Sequence, residues 1–351
     1  MAKRARTADM VEPDRMEGFA HPRETTRLIG QDEGLARAAR AIRAGRPPQA
    51  WLITGPPGVG KATLAYRVAR YLLAFGATAD GPADLSTPEG ARAAIQVANG
   101  SHPGLLALKR GLNKDGKLMN VLGVDEIRRL GQFFGMTSGA GGWRVVIVDT
   151  SDDMSDNAAN ALLKLLEEPP PQSMLLLIAN APGRLLPTIR SRCQRLDLKP
   201  LPAEVVEGEL ERQVPNLSAG ERKSISRLSG GSLGMALHLA SGEGVALASE
   251  ADALIERAEN PDIPALLSFA DRISRSSDGF GDFSTLLSQA LADRILKCAR
   301  TNAPRLDRWV ETWERLNVSF DRTSALYLDP RQTLLGAQRA LSKATARAGR
   351  I

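Results

Sequence analysis

The stretch Gly55-Pro56-Pro57-Gly58-Val59-Gly60-Lys61-Ala62-Thr63 constrains the fold more than any other part of the chain. An apolar run of strand length, Ala50-Trp51-Leu52-Ile53-Thr54, precedes it, and a helix-period pattern follows, with Leu64, Val68 and Leu72 at i, i+4 and i+8. Strand, glycine loop and helix in that order form the context of a phosphate-binding P-loop. The glycines let backbone N–H groups turn inward around an anion. The helix N-terminus adds partial positive charge and Lys61 adds a full one. One position departs from the pattern: the hydroxyl that would ligate Mg²⁺ directly after the lysine is replaced by Ala62. Thr63 carries a hydroxyl, but one residue further along a helix is a rotation of about 100°, which points it elsewhere. Two readings stay open here. The loop can still hold ADP or ATP weakly, or its site has decayed and only the loop's shape remains.

The chain is 351 residues long, which suggests two or three domains. A hydrophobic content of 43% and a charged content of 25% are those of an ordinary globular protein with material for a core. Aromatic residues are only 4%, which argues against stacking platforms for single-stranded nucleic acid. The net charge of +6 is compatible with work near DNA and equally with a solvated surface. Cys193 and Cys298 lie far apart in sequence and build neither a zinc site nor a disulfide framework. No apolar run is long enough for a membrane span, and the basic start Met1-Ala2-Lys3-Arg4-Ala5-Arg6 lacks the apolar stretch of a signal peptide. A short disordered arm, no membrane and a cytoplasmic location are expected.

Along the chain, a helix is expected over 32–44, closed by Gly45-Arg46-Pro47-Pro48. A partly helical excursion over 76–100, a short strand over 105–109, a hairpin or loop over 110–120 and a helix over 124–134 follow. The glycine cluster Gly139-Ala140-Gly141-Gly142 precedes Arg144-Val145-Val146-Ile147-Val148-Asp149, a continuous β-branched run of the kind found in the buried centre of a parallel sheet. A helix over 155–167 stops at Pro169-Pro170-Pro171, and strands over 174–179 and 194–198 close the series. Strands alternating with helices imply right-handed crossovers and an α/β layer fold. After Pro200-Leu201-Pro202 the strand signal stops. Three short helical patterns fill 203–242. Longer ones cover 245–258, 263–274, 283–300, 306–316 and 330–347, the last with Asp329 as N-cap and Pro330 at the first helical position. Trp309 and Trp313, four residues apart, read as helix packing.

Asp149 ends a buried strand, where P-loop proteins place an aspartate for Mg²⁺. The next residue, Thr150, cannot act as a base. Asp152 and Asp153 read as first-turn residues of the next helix. Asn180 ends the following strand, a position where asparagine is common. The segments Ala161-Leu162-Leu163-Lys164-Leu165-Leu166-Glu167-Glu168-Pro169-Pro170 and Thr188-Ile189-Arg190-Ser191-Arg192-Cys193 together resemble the clamp-loader branch of AAA+ proteins, a likeness that continues through Gly231-Ser232-Leu233 and Leu328-Asp329-Pro330-Arg331-Gln332. The resemblance implies a P-loop AAA+ parallel-sheet domain over 1–199, a small helical lid over 200–243 and an all-helical collar for oligomerisation over 244–351.

The resemblance assigns Arg192 as a finger that reaches into a neighbouring subunit's ATP site, and Gly55–Thr63, Asp149 and Asn180 as a nucleotide site. The motor subunits of that family carry a hydroxyl after the P-loop lysine, an Asp-Glu pair after the strand and a sensor arginine after Gly-Ser-Leu. This chain has Ala62, Thr150 and Gly234. The pattern implies a subunit that donates a finger and does not itself hydrolyse ATP. The implied partners are motor subunits (gamma/tau) and a delta subunit in a hetero-pentameric ring, the sliding clamp and primed DNA. No zinc is expected, because 76–100 lacks the cysteines of the family's zinc module. Apolar stripes around Leu286, Leu291 and Leu335 are expected to carry oligomer contacts. An active motor subunit and a metabolic P-loop kinase remain the alternatives. The first is opposed by Ala62, Thr150 and Gly234, the second by Ser191-Arg192-Cys193 and the long helical C-terminus.

Overall fold

The computed structural model describes residues 19–111, 119, 121–135, 142–241, 244–275, 279–301, 305–326 and 328–349. Most of the arm over 1–24, most of the loop over 110–120 and residues 139–141 of the glycine cluster lie outside these. By internal contacts the chain divides into two compact units, one holding residues 1–205 and 232–235, the other residues 206–231 and 236–351.

The first unit is built on five parallel strands: β1 (Ala50–Thr54), β2 (Leu105–Leu108), β3 (Arg144–Val148), β4 (Ser173–Ala179) and β5 (Gln194–Asp197). Their order is β2-β3-β4-β1-β5. β1 and β4 are buried along their whole length, so both faces are apolar, as central parallel strands require. The alternation of side chains sorts them onto two layers. Trp51, Ile53, Val145, Ile147, Leu176 and Ile178 face one layer, made by α1 (Asp32–Arg43), α2 (Lys61–Phe75) and α3 (Arg92–Ala98). Ala50, Leu52, Val146, Val148, Leu175 and Leu177 face the other, made by α4 (Val124–Gly135), α5 (Asp156–Glu167) and α6 (Pro187–Arg192). The β1-to-β2 crossover runs across the sheet in the direction opposite to the remaining crossovers. Right-handed connections therefore place its helices on the opposite face.

The segment over 76–91 is held by side chains of α1 and α2. Arg43 Nη1 donates to Gly81 O at 2.5 Å, Tyr71 Oη donates to Thr78 O at 2.9 Å, and Arg67 Nη2 pairs with Asp84 Oδ2 at 2.8 Å. Leu85 anchors the segment in the core, fully buried. The chain entering the domain is tied to the same helix, with Arg70 donating to Arg23 O and Thr25 O.

The helices beyond the sheet are α7 (Ala203–Gln213), α8 (Ala219–Leu228), α9 (Leu233–Ser241), α10 (Gly244–Glu256), α11 (Ile263–Ile273), α12 (Gly279–Arg300), α13 (Leu306–Ala325) and α14 (Pro330–Ala348). Ser218 and Glu221 close a capping box on α8, and Asp262 and Asp329 cap α11 and α14. Within the second unit α12 packs on α10 and α13, α14 on α11 and α13, and α8 on α10 and α12. Trp309 is buried and donates to Gly349 O at 3.2 Å, while Trp313 donates to Ser288 O at 3.0 Å. Both are packing residues. The expected apolar stripe needs correction. Leu286 and Leu291 lie in the interior of the chain, so they offer nothing to a second subunit. The exposed apolar side chains of the second unit include Leu296, Val318 and Leu326.

Candidate functional site

The carboxyl ends of β3, β4 and β1 lie side by side, so the P-loop, Asp149 and Asn180 meet at one edge of the sheet. Gly55 (φ 146°), Gly58 (φ 73°) and Gly60 (φ 104°) all lie where L side chains are strained. A Cβ at Gly55 would also stand 2.6 Å from Leu198 O. The loop therefore has the backbone of a phosphate cradle and opens directly into the N-terminus of α2.

Lys61, the first residue of α2, folds back onto its own loop. Its Nζ donates to Gly55 O and Pro56 O, each at 2.7 Å, and its side chain is 5% exposed. Burial pushes its pKa down to about 8, against the opposing pull of the Asp149 and Asp152 carboxylates. Ala62 packs against the α2-side core, and no hydroxyl stands at that position. Asp149 Oδ1 accepts from Thr150 N at 2.9 Å, and Thr150 adopts a left-handed backbone (φ 51°) that ends the strand.

Asp152 does more than sit in a first turn. It lies in a 3₁₀ turn over Ser151–Asp153, and its Oδ2 accepts from Asn180 N at 3.0 Å and Ala181 N at 2.7 Å. The end of β4 is thereby fixed to the end of β3, with Asn180 exposed at the junction.

Two further groups complete the loop's surroundings. Buried Gln31 donates through Nε2 to Val59 O at 3.2 Å and Lys199 O at 2.8 Å, and its Oε1 accepts from Lys199 N at 3.3 Å. Nothing in the spacing of Gln31 announces that role. Ser232 accepts from Met235 N, capping α9, while its hydroxyl donates to Pro57 O at 2.8 Å. Gly234 N donates to Gly58 O at 2.9 Å, and a Cβ on Gly234 would stand 2.8 Å from Gly58 Cα. In this arrangement no side chain fits at position 234. The P-loop carbonyls of residues 55–59 all accept hydrogen bonds from the chain itself.

Arg192 is placed apart from this cradle. It is the last residue of α6, a one-and-a-half-turn helix, with Cys193 behind it against the core. Burial pushes the Cys193 thiol up to about 12, so it is inert. The Arg192 guanidinium donates to Thr188 O at 3.1 Å and to Glu167 Oε1 at 2.7 Å, with 35% of the side chain exposed.

Residues 30–202 match the family model described as DNA polymerase III, delta subunit. Through this region the chain is similar to the delta-prime subunits of the DNA polymerase III clamp loader. The delta-prime subunit of Pseudomonas aeruginosa DNA polymerase III is 38% identical over 184 residues, 52% of this chain and 53% of that protein. Its counterpart in Escherichia coli is 36% identical over 203 residues, 58% of each chain. The tau subunit of Bacillus subtilis is 28% identical over 193 residues, 55% of this chain and 32% of that protein. The match thus spans little more than half the length of the delta-prime relatives. A solved gamma-subunit-related protein of Thermotoga maritima aligns over 90% of this chain and 99% of its own at 19% identity, with a TM-score of 0.47. The matched clamp-loader region contains the P-loop, Asp149, Asn180 and Arg192, and it leaves out Gly234 and the helices beyond 202.

Proposed function

We propose that this chain works in DNA replication as a delta-prime-type subunit of the DNA polymerase III clamp loader. In this reading it joins motor subunits (gamma/tau) and a delta subunit in a hetero-pentameric ring, helps open the sliding clamp and places it on primed DNA. It serves the DNA-directed DNA polymerase, a nucleotidyltransferase, as part of that complex in the bacterial cytoplasm. Residues 200–243 would act as the lid and 244–351 as the collar. Among the described residues no helix is long and apolar enough to cross a membrane.

One observation carries the reading: an exposed arginine at the end of α6, held only at the surface, in a chain whose own cradle lacks the parts for hydrolysis. Arg192 would stabilise the charge that builds on the γ-phosphate in the neighbouring subunit's site. The chain's own loop would bind ADP or ATP weakly, because a phosphate must first displace Lys61 from Gly55 O and Pro56 O. Ala62 and Thr150 supply neither metal ligand nor base. Gly234 has no room for a sensor arginine.

The test is reconstitution with gamma/tau and delta subunits. The reading expects a stable ring, clamp loading that requires this chain, and no turnover by the chain alone. Steady ATP turnover by the purified chain, abolished by Lys61→Ala, would favour the motor-subunit alternative instead.

A further inference from the structure

α14 carries no acidic residue over its whole length, Pro330 to Ala348. Its exposed side chains include Arg339, Lys343 and Arg347, spaced i, i+4 and i+8. That spacing lines three cations along one face over about 12 Å. Gly336 and Ala346 on the same face are exposed and small, so a partner can approach the helix closely. Arg305 adds a fourth cation at the C-terminal end, where its Nη1 donates to Arg347 O at 2.7 Å.

Several arginines of the second unit are neutralised by carboxylates, although Arg257, Arg275, Arg300, Arg315 and Arg322 are exposed with no carboxylate pair among the described residues. Arg272 pairs with Glu250, Arg294 with Asp252 and Glu256, Arg308 with Asp307 and Glu311, and Arg331 with Asp271. Among the described residues no carboxylate pairs with Arg339, Lys343 or Arg347. A cation in the last turn also suits the helix dipole, which accounts for Arg347. Arg339 and Lys343 lie too far from the end for that explanation. The three share a face that is positive and left without internal neutralisation.

We infer that the Arg339–Lys343–Arg347 face of α14 binds the phosphate backbone of duplex DNA. A polyanion with one charge per about 1.7 Å of axis is the partner that a fixed row of cations fits best. Recognition of a single strand would call for aromatic stacking. Here the nearby aromatics of α13 are turned inward, Trp309 buried against Gly349 and Trp313 bonded to Ser288. The contact is to phosphates alone, so it positions duplex without reading its sequence. The inference rests on the clamp-loader reading only for the presence of DNA.

The experiment uses the full chain and a fluorescent duplex of about 30 base pairs, titrated by anisotropy at salt concentrations between about 50 and 200 mM. The variant Arg339→Gln/Lys343→Gln/Arg347→Gln keeps good helix formers at each position. The slope of log affinity against log salt should become shallower by about 2 to 3, and affinity at the lowest salt should fall at least about tenfold. If the triple variant melts early, single Arg339→Gln and Lys343→Gln variants take its place, each expected to shift the slope by about one. An unchanged slope in folded variants overturns the inference. So does an effect confined to a single-stranded oligonucleotide, or a loss of ring assembly with duplex binding intact, which would assign the face to a protein partner. The binding is measured on the chain alone. Failure to join a ring would therefore count against the clamp-loader reading and leave the duplex result standing.

Discussion

Arg192 Nη2 lies 2.7 Å from Glu167 Oε1, an ion pair that joins the last residue of α6 to the last residue of α5. Both partners belong to the segments that carry the clamp-loader resemblance. The side chains are 35% and 50% exposed, so solvent screens the pair and it contributes at most about 1 kcal/mol. A contact that weak can hold a guanidinium at the surface and release it to a phosphate.

Glu167→Gln should accordingly change the unfolding free energy by less than about 1 kcal/mol in a urea titration. Ring turnover should persist in this variant. A large loss of stability would mean that the pair is a structural tie and that Arg192 is not free to leave it.

Lys61 gives a pH signature. Its folded value of about 8 lies below its ordinary 10.5. Below pH 8 both states are protonated and folding bears the full cost of burying the charge. Between 8 and 10.5 the folded state releases a proton that the unfolded state keeps, so stability rises with pH there, by at most about 3 kcal/mol. Denaturation of wild type and Lys61→Met from pH 7 to 10.5 checks this. Wild type should gain on the variant across that window, and a flat or falling difference contradicts the buried-lysine account.

Position 234 tests the closure over the P-loop. Gly234→Ala places a Cβ 2.8 Å from Gly58 Cα, between two backbones that cannot yield as a flexible side chain would. The expected cost is about 1–3 kcal/mol, read from the denaturation midpoint. Ala62→Ser restores the missing hydroxyl but leaves Thr150 in place of a base, so its ATP turnover should stay at the level of the parent chain. Equal stability of Gly234→Ala would mean that residues 232–235 are not seated on the loop.

The segment over 76–91 is held by Arg43, Arg67 and Tyr71. Chelation with EDTA should leave the Tm unchanged. Arg67→Met should lower it, because three hydrogen bonds to Thr26 and Asp84 disappear from a side chain that is 9% exposed. The reverse pattern would point to a metal site.

The sheet was legible because its strands are continuous apolar runs bounded by strong punctuation. The P-loop glycines follow β1, a proline triplet follows α5, and Ser155 caps α5. α6 was not legible: six residues between Pro187 and Arg192 are too few to show a helical period. Arg192 therefore stands at a helix end, two residues before β5. α13 runs to Ala325, nine residues past the expected stop. Its polar run of Asn317, Ser319, Asp321 and Thr323 hides the period, and buried Leu316 and Phe320 carry the helix through. The contacts of Gln31 and Ser232 were not legible because their partners include P-loop carbonyls far away in sequence, and no local pattern records such pairs.

The most direct measurement is the ATPase rate and clamp loading of the reconstituted ring carrying Arg192→Ala, after assembly and stability are verified. An arginine finger is worth on the order of 10³–10⁵ in rate at the site it serves. One site of the ring depends on Arg192 in this account, so DNA-stimulated turnover should fall by a fraction while clamp loading falls much further. Arg192→Lys should not rescue it, because lysine lacks the planar bidentate fork. Turnover and clamp loading equal to the wild-type ring would contradict the finger role of Arg192.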